Sequence, residues 1–151
     1  MKAEDLRAAL TSGTPLRIHL IGVAGSGMSG IAALLLGLGH HVSGSDKVDT
    51  IEIDRLQKKG LRFHSPHSAE CVSDAEIVLY SSAIKAGNPA FDEAVRLGIP
   101  MARRADSLAA MMASRKGIVV CGMHGKTTTS SMIAHLLKES GKNVNAFLGG
   151  I

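Results

Sequence analysis

Leu16-Arg17-Ile18-His19-Leu20-Ile21, followed by Gly22-Val23-Ala24-Gly25-Ser26-Gly27-Met28-Ser29-Gly30, decides how this chain folds. The first six residues form a near-continuous apolar run, broken only by Arg17 and His19, as in a parallel strand covered on both faces. Residues 25–30 then spell Gly-x-Gly-x-x-Gly and open an Ala- and Leu-rich helical segment at 28–38 that Gly39 closes. Strand, glycine loop and helix in that order set unobstructed backbone N–H groups at a helix N-terminus, where the helix dipole also favours an anion. Gly25, Ser26, Gly27, Met28, Ser29 and Gly30 are therefore a candidate phosphate cradle.

The same alternation runs outward from this unit. Residues 3–10 read as a short amphipathic helix, and residues 41–45 as a second strand that delivers Asp46 at its C-terminal end. Thr50 can cap a helix to Lys59, residues 61–64 make a third strand and residues 76–81 a fourth. Asn88-Pro89 reads as an N-cap followed by proline at the first helical position. A short fifth strand at 99–102 precedes a helix at 106–114. The class is α/β, a Rossmann-like parallel sheet with helices on both faces, whose ligands sit at the carboxyl ends of the strands. In that setting the default reading of the glycine loop is a dinucleotide site with Asp46 on ribose hydroxyls, although the pattern alone does not identify the nucleotide.

A second glycine loop, Gly122-Met123-His124-Gly125-Lys126-Thr127-Thr128-Thr129, follows the apolar run 117–121 and precedes a helical pattern at 127–140. Gly125-Lys126-Thr127 supplies the working end of a P-loop, in which lysine reaches the β- and γ-phosphates and a threonine hydroxyl ligates Mg²⁺. The full Walker spacing is not met, because Val120 stands where its first glycine would be. With a further strand at 144–148, this is the first strand-loop-helix-strand of a P-loop domain. The boundaries follow as a Rossmann-like domain at 1–105, then a linker helix and the beginning of an ATP-binding domain at 106–151. One strand, one helix and one more strand cannot cover both faces of a sheet, so the chain is expected to stop inside a domain. The strands at 117–121 and 144–148 are then expected to pair with another chain, as in a dimer, or to dock on the first domain.

Composition narrows the partners. The 151 residues are 45% hydrophobic, enough for a buried core, with 17 Lys and Arg against 13 acids and a net charge of +4. Aromatics are only 3%, and the basic residues are scattered apart from Arg103-Arg104, which argues against nucleic acid and for small anionic ligands. No apolar run approaches the ~20 residues of a membrane span and the N-terminus carries acids, so a cytoplasmic protein is expected. Cys71 and Cys121 lie far apart without metal-ligand spacing and read as buried reduced thiols. Arg103-Arg104 reads equally as a solvated pair or as an electropositive wall.

At these two loops the chain resembles the Mur ligase family, ATP-dependent amide-bond-forming enzymes of peptidoglycan synthesis. The contracted Gly-x-x-Gly-Lys-Thr at residues 122–127 is the family's form of the ATP loop. The first glycine loop, Ser43-Gly44-Ser45-Asp46, Ser81-Ser82-Ala83-Ile84, Asn88-Pro89 and Ile99-Pro100 followed by Arg103-Arg104-Ala105 are similar to the branch that adds L-alanine to UDP-N-acetylmuramate. The resemblance covers nearly everything from Leu16 onward. It implies that the first cradle holds the diphosphate of UDP-N-acetylmuramate, with Asp46, Ser81, Ser82 and Ala83 lining the uridine pocket. His67 reads equally as a neighbour of that ligand or as a solvated loop residue. It implies also that Gly122, Met123, His124, Gly125, Lys126, Thr127 and Thr128 bind ATP, with Lys126 the catalytic cation and Thr127 on Mg²⁺. The implied reaction runs through an acyl phosphate that the alanine amine attacks. The 151 residues are expected to bind the UDP-sugar without turnover. A relative that attaches a whole peptide to the same UDP-sugar is the near alternative, and a stand-alone NAD-type module the more distant one.

Overall fold

The computed structural model describes residues 1–148 and divides into two compact units, Met1–Arg115 and Lys116–Ile151. In the first unit the elements run α1 (Ala3–Leu10), β1 (Arg17–Ile21), α2 (Ser26–Gly37), β2 (His41–Ser45), α3 (Ile51–Gln57), β3 (Arg62–His64), β4 (Ile77–Tyr80), α4 (Pro89–Arg96), β5 (Met101–Arg103) and α5 (Arg104–Ala113). A 3₁₀ turn at Ala69–Val72 lies between β3 and β4 and carries no periodic signature in the sequence.

The five strands form one parallel sheet in the order β3-β2-β1-β4-β5. The order reverses between β1 and β4, and there the connecting loops leave in opposite directions to open a crevice at the carboxyl edge. Both sheet faces are covered. Ile18 and Leu20 of β1 point to a core shared with Leu6, Ile31, Leu35, Ile53, Leu56 and Met111. Ile21 points the other way, with Val78, toward Val72 and the small faces of Ala90 and Ala94 on α4. Losing one of the large buried side chains, such as Leu20 or Leu35, would cost about 2–5 kcal/mol through lost transfer energy and the cavity left behind.

The local signals act as the sequence proposes. The Thr50 hydroxyl accepts from the Ile53 N–H at the start of α3, and the Asn88 carbonyl oxygen accepts from Ala90 and Phe91 at the start of α4. α2 begins at Ser26, earlier than the apolar periodicity indicates, because the Gly25 carbonyl already accepts from Met28 and Ser29. α5 packs on α1 and α2, which carries the first unit to Arg115, past the boundary at residue 105 drawn from the sequence.

In the second unit α6 (Lys126–Glu139) follows the second glycine loop. The strands expected at 117–121 and 144–148 are not formed. A strand exists by virtue of the ladder to a neighbour, and among the described residues neither segment has one. Cys71 is buried as expected, but Cys121 is exposed, since the strand that would have enclosed it is missing. Among the described residues no helix is long and apolar enough to cross a membrane.

Candidate functional site

The crevice is built from β1 outward. Gly22, the first residue beyond β1, has φ +85°, and a Cβ there would sit 3.0 Å from the Ser81 Cβ at the end of β4. Both the backbone conformation and the closeness of the two strand ends call for glycine. The Gly22 and Val23 N–H groups donate to the Ser45 carbonyl at 2.8 and 3.3 Å, which ties the loop to β2. Val23 lies so close over β2 that a Cβ on Gly44 would be 2.7 Å from its Cβ and Cγ1. Asp46 completes the brace, one carboxylate oxygen accepting from Ala24 N–H at 2.9 Å and the other from Lys47 N–H at 2.7 Å.

These bonds leave the Ser26 and Gly27 N–H groups, among the described residues, without an acceptor at the start of α2. The first turn of α2 contains no acid. Over it lies the Arg104 guanidinium, so near Gly27 that a Cβ at residue 27 would run into it. Two free N–H donors, a helix N-terminus and a guanidinium thus converge, the combination that binds a phosphate. Met28 and Ser29 face inward instead: Met28 is a core residue, the Ser29 hydroxyl donates to the Ser26 carbonyl, and Gly30 continues the helix. Arg104 was one half of the ambiguous Arg103-Arg104 pair. Its partner Arg103 turns away to the Tyr80 hydroxyl, which it approaches at 3.4 Å.

On the other side of Asp46 a cavity of about 350 Å³ opens between loops, walled by Lys47, Pro66, His67, Ala83, Ile84 and Lys85. Ser81 and Ser82 form the turn that leads into it; the Ser81 carbonyl accepts from Ile84 N–H and its hydroxyl from Ala83 N–H. His67 and Ala83 therefore line one cavity, whereas Asp46, Ser81 and Ser82 do not; Asp46 adjoins the lining residue Lys47 and bonds to Ala24 of the glycine loop. Lys47 and Lys85 carry positive charge to the same cavity, and the sequence offered no motif that singles them out.

His67 is not a solvated loop residue. It is only 9% exposed, and its Nδ1 lies 2.9 Å from the Ser45 hydroxyl. The same hydroxyl is 3.0 Å from His19 Nε2, and His19 Nδ1 is 2.9 Å from the Ser43 hydroxyl. Strand register explains the set, because His19 lies opposite Ser43 and Ile21 opposite Ser45 on the face where Val78 also packs. Burial, and to a smaller degree the neighbouring His64 and His67 rings, pushes the His19 pKa down to about 3. Burial lowers that of His67 as well, against the opposing pull of Asp46. In sequence, His19 was visible only as a polar break in an apolar run.

The second loop is described within its own unit. Gly125 is the N-cap of α6 in the left-handed region at φ +76°. The Lys126 ammonium donates to the Gly122 and Met123 carbonyls at 2.7 and 3.2 Å and so lies across the loop. Thr129 N–H donates to the Gly125 carbonyl, and the first turn of α6 has no acid. His124 is exposed, and Thr127 and Thr128 lie in the first helical turn beside Lys126. A left-handed glycine at a helix start, a lysine over the loop and hydroxyls in the first turn are a donor set that fits a nucleoside triphosphate with its Mg²⁺. Among the described residues no group of three or more His, Cys, Asp or Glu is placed to hold a metal by itself.

Known proteins are similar to this chain in sequence and fold. The chain is 47% identical over 135 residues to the UDP-N-acetylmuramate–L-alanine ligase of Rubrobacter xylanophilus, an alignment that covers 89% of this chain and 30% of that protein. It is 46% identical over 134 residues to the ligase of the same name from Sinorhizobium fredii, covering 89% and 29%. The chain thus spans about three tenths of the length of these curated relatives. Among solved structures it superposes on the UDP-N-acetylmuramate-alanine ligase of Thermotoga maritima with a TM-score of 0.83 at 34% identity, over 90% of this chain and 32% of that one. A murein peptide ligase from Psychrobacter arcticus gives 0.79 at 29% identity, over 83% and 27%. The family model described as "Mur ligase family, catalytic domain" matches residues 17–116, the stretch that holds the parallel sheet, the glycine loop and the crevice, and the chain belongs to that family.

Proposed function

We propose that this chain is the nucleotide-sugar-binding part, with the ATP loop, of an ATP-dependent ligase that joins L-alanine to UDP-N-acetylmuramate. The observation that carries this reading is the pairing of an anion cradle, braced by Asp46, with a separate cavity that begins at the next residue, Lys47. The cradle offers the Ser26 and Gly27 N–H groups and Arg104; the cavity offers His67, Ala83, Lys47 and Lys85. A nucleoside diphosphate sugar has a matching division, with two phosphates beside a base. Asp46 orients the loop through Ala24 N–H, and Ser81 and Ser82 set the turn that frames the base side. The names carried by relatives at 45–47% identity favour L-alanine over a peptide as the group added.

When bound at residues 122–128, ATP with Mg²⁺ supplies the phosphoryl group that activates a carboxylate for amide formation. Lys126 balances phosphate charge there, the Gly122 to Gly125 backbone holds the phosphates, and Thr127 contributes its hydroxyl to the metal. Met123, His124 and Thr128 shape the same loop. The setting is cytoplasmic, where both nucleotides are found together.

Calorimetric titration of the chain with UDP-N-acetylmuramate and, separately, with NADH tests the reading. Saturable binding of the UDP-sugar is expected, weakened about tenfold or more in Arg104→Ala and unaffected by NADH. Tight NADH binding with none of the UDP-sugar would replace the proposal with an NAD-type module. Alanine-dependent phosphate release is not expected from these residues alone.

A further inference from the structure

The buried polar chain beside the cavity has a direction, which follows from counting hydrogens. Ser43 Oγ, His19 Nδ1, His19 Nε2, Ser45 Oγ and His67 Nδ1 are linked in series at 2.9 to 3.0 Å, and all three links lie out of solvent. Each serine has one hydrogen to give, and a neutral histidine has one N–H and one bare nitrogen. Ser45 touches two ring nitrogens, so at most one of them can accept from it and the other must carry a hydrogen or go unpaired. Among the described residues neither serine hydroxyl has any other side-chain or backbone acceptor.

Four hydrogens meet three links, and only one arrangement leaves the spare hydrogen at the cavity and not inside the chain. Ser43 donates to His19 Nδ1, His19 Nε2–H donates to Ser45, and Ser45 donates to His67 Nδ1. In the reverse arrangement the Ser43 hydrogen points at nothing. If both rings donate into Ser45, the Ser45 hydrogen is orphaned at a residue with 0% exposure. An unpaired buried hydroxyl hydrogen is the more costly state, so the outward direction prevails. The remaining His67 nitrogen, Nε2, has no partner among the described residues, and His67 is part of the cavity wall. With Nδ1 accepting, Nε2 carries the hydrogen.

We propose that Ser43, His19 and Ser45 form a directed hydrogen-bond relay that holds His67 as an N–H donor to the cavity, where it selects a pyrimidine with a carbonyl at position 4, as in uracil, over one with an amino group there, as in cytosine. Ser43, His19 and Ser45 are positioning residues, since none of them lines the cavity. The choice of base rests on the proposed nucleotide-sugar reading; the direction of the relay does not. Both rings are neutral at pH 7, as their burial requires.

The test has a ligand-free arm and a ligand arm. Long-range ¹H–¹⁵N spectra of the ¹⁵N-histidine-labelled chain at pH 7 should show His67 protonated at Nε2 and bare at Nδ1. In Ser43→Ala neither direction is fully satisfied, so His67 should become a mixture of tautomers two bonds away from the change. Ser43→Thr, which keeps the hydroxyl, should restore the single tautomer. A wild-type His67 protonated at Nδ1 would overturn the relay, as would a tautomer indifferent to Ser43→Ala. Should Ser43→Ala not fold, the wild-type spectrum still decides the direction. In the ligand arm the wild type should bind UDP at least tenfold more tightly than CDP, and Ser43→Ala should lose about that factor for UDP alone. Equal binding of UDP and CDP would overturn base selection. Failure to bind UDP at all, with the tautomer pattern intact, would overturn the nucleotide-sugar reading and base selection together and leave the relay standing.

Discussion

Acidification should destabilise the first unit through His19 by an amount that the structure sets. The ring is fully buried between two hydroxyls, with a folded-state pKa of about 3 against 6.5 for the free side chain. A folded pKa that lies lower means that the unfolded chain binds the proton first, so stability is complete above pH 6.5 and falls between pH 6.5 and 3. At about 1.36 kcal/mol per unit, lowering the pH from 7 to 4.5 removes about 2.5 kcal/mol through this one residue. That is a large part of a domain's net stability. Other groups titrate over the same range, so the measurement is a difference between wild type and His19→Gln. The chain has one tyrosine and no tryptophan. Tyr80 ends β4, edge-on to Phe91 at 5.1 Å, so its fluorescence reports unfolding of the first unit alone. In urea the wild-type midpoint should fall by about 1–2 M more than that of His19→Gln between pH 7 and 4.5. Equal falls in the two proteins would refute the reasoning, since they would mean that His19 is not held neutral by its surroundings.

Gly44→Ala should cost about 1–3 kcal/mol and weaken UDP-sugar binding, because the new methyl drives Val23 and the glycine loop off β2; a urea midpoint and a titration check both effects. Asn88→Ala removes the two bonds that start α4 and should cost about 1 kcal/mol, read as a lower urea midpoint by Tyr80 fluorescence. Arg104→Ala should leave stability nearly unchanged, as the side chain is exposed, yet lower affinity for the UDP-sugar about tenfold or more and flatten its salt dependence. Lys126→Ala should abolish binding of ATP with Mg²⁺ while leaving UDP-sugar affinity intact, read by titration with each ligand.

Much of the fold could be read from local chemistry. Thr50, Asn88-Pro89 and Gly39 act through contacts within a few residues, and the apolar run at 16–21 needs only two covered faces to be a central strand. The shape of the glycine loop was likewise legible, because the open N–H groups at the start of α2 belong to the motif itself. Arg104 was legible only in part, as half of a pair read equally as solvated or as an electropositive wall, since its place over Gly27 depends on α5 folding back over α2. The relay was hidden for a similar reason. His19, Ser43, Ser45 and His67 are ordinary residues until parallel register and the loop after β3 bring them into line. The strands expected at 117–121 and 144–148 show the opposite error, for an apolar run offers a strand but only a neighbouring ladder makes one.

Ser45 serves two masters with different atoms. Its carbonyl oxygen anchors the glycine loop through Gly22 and Val23, and its hydroxyl sits in the centre of the histidine relay. A change to alanine would sever the second connection and spare the first, so the two halves of the crevice are separable by mutation at a single position. In a lineage of such proteins, preference for the base could therefore drift while the backbone grip of the loop stays fixed, and residue 45 is where that divergence would begin.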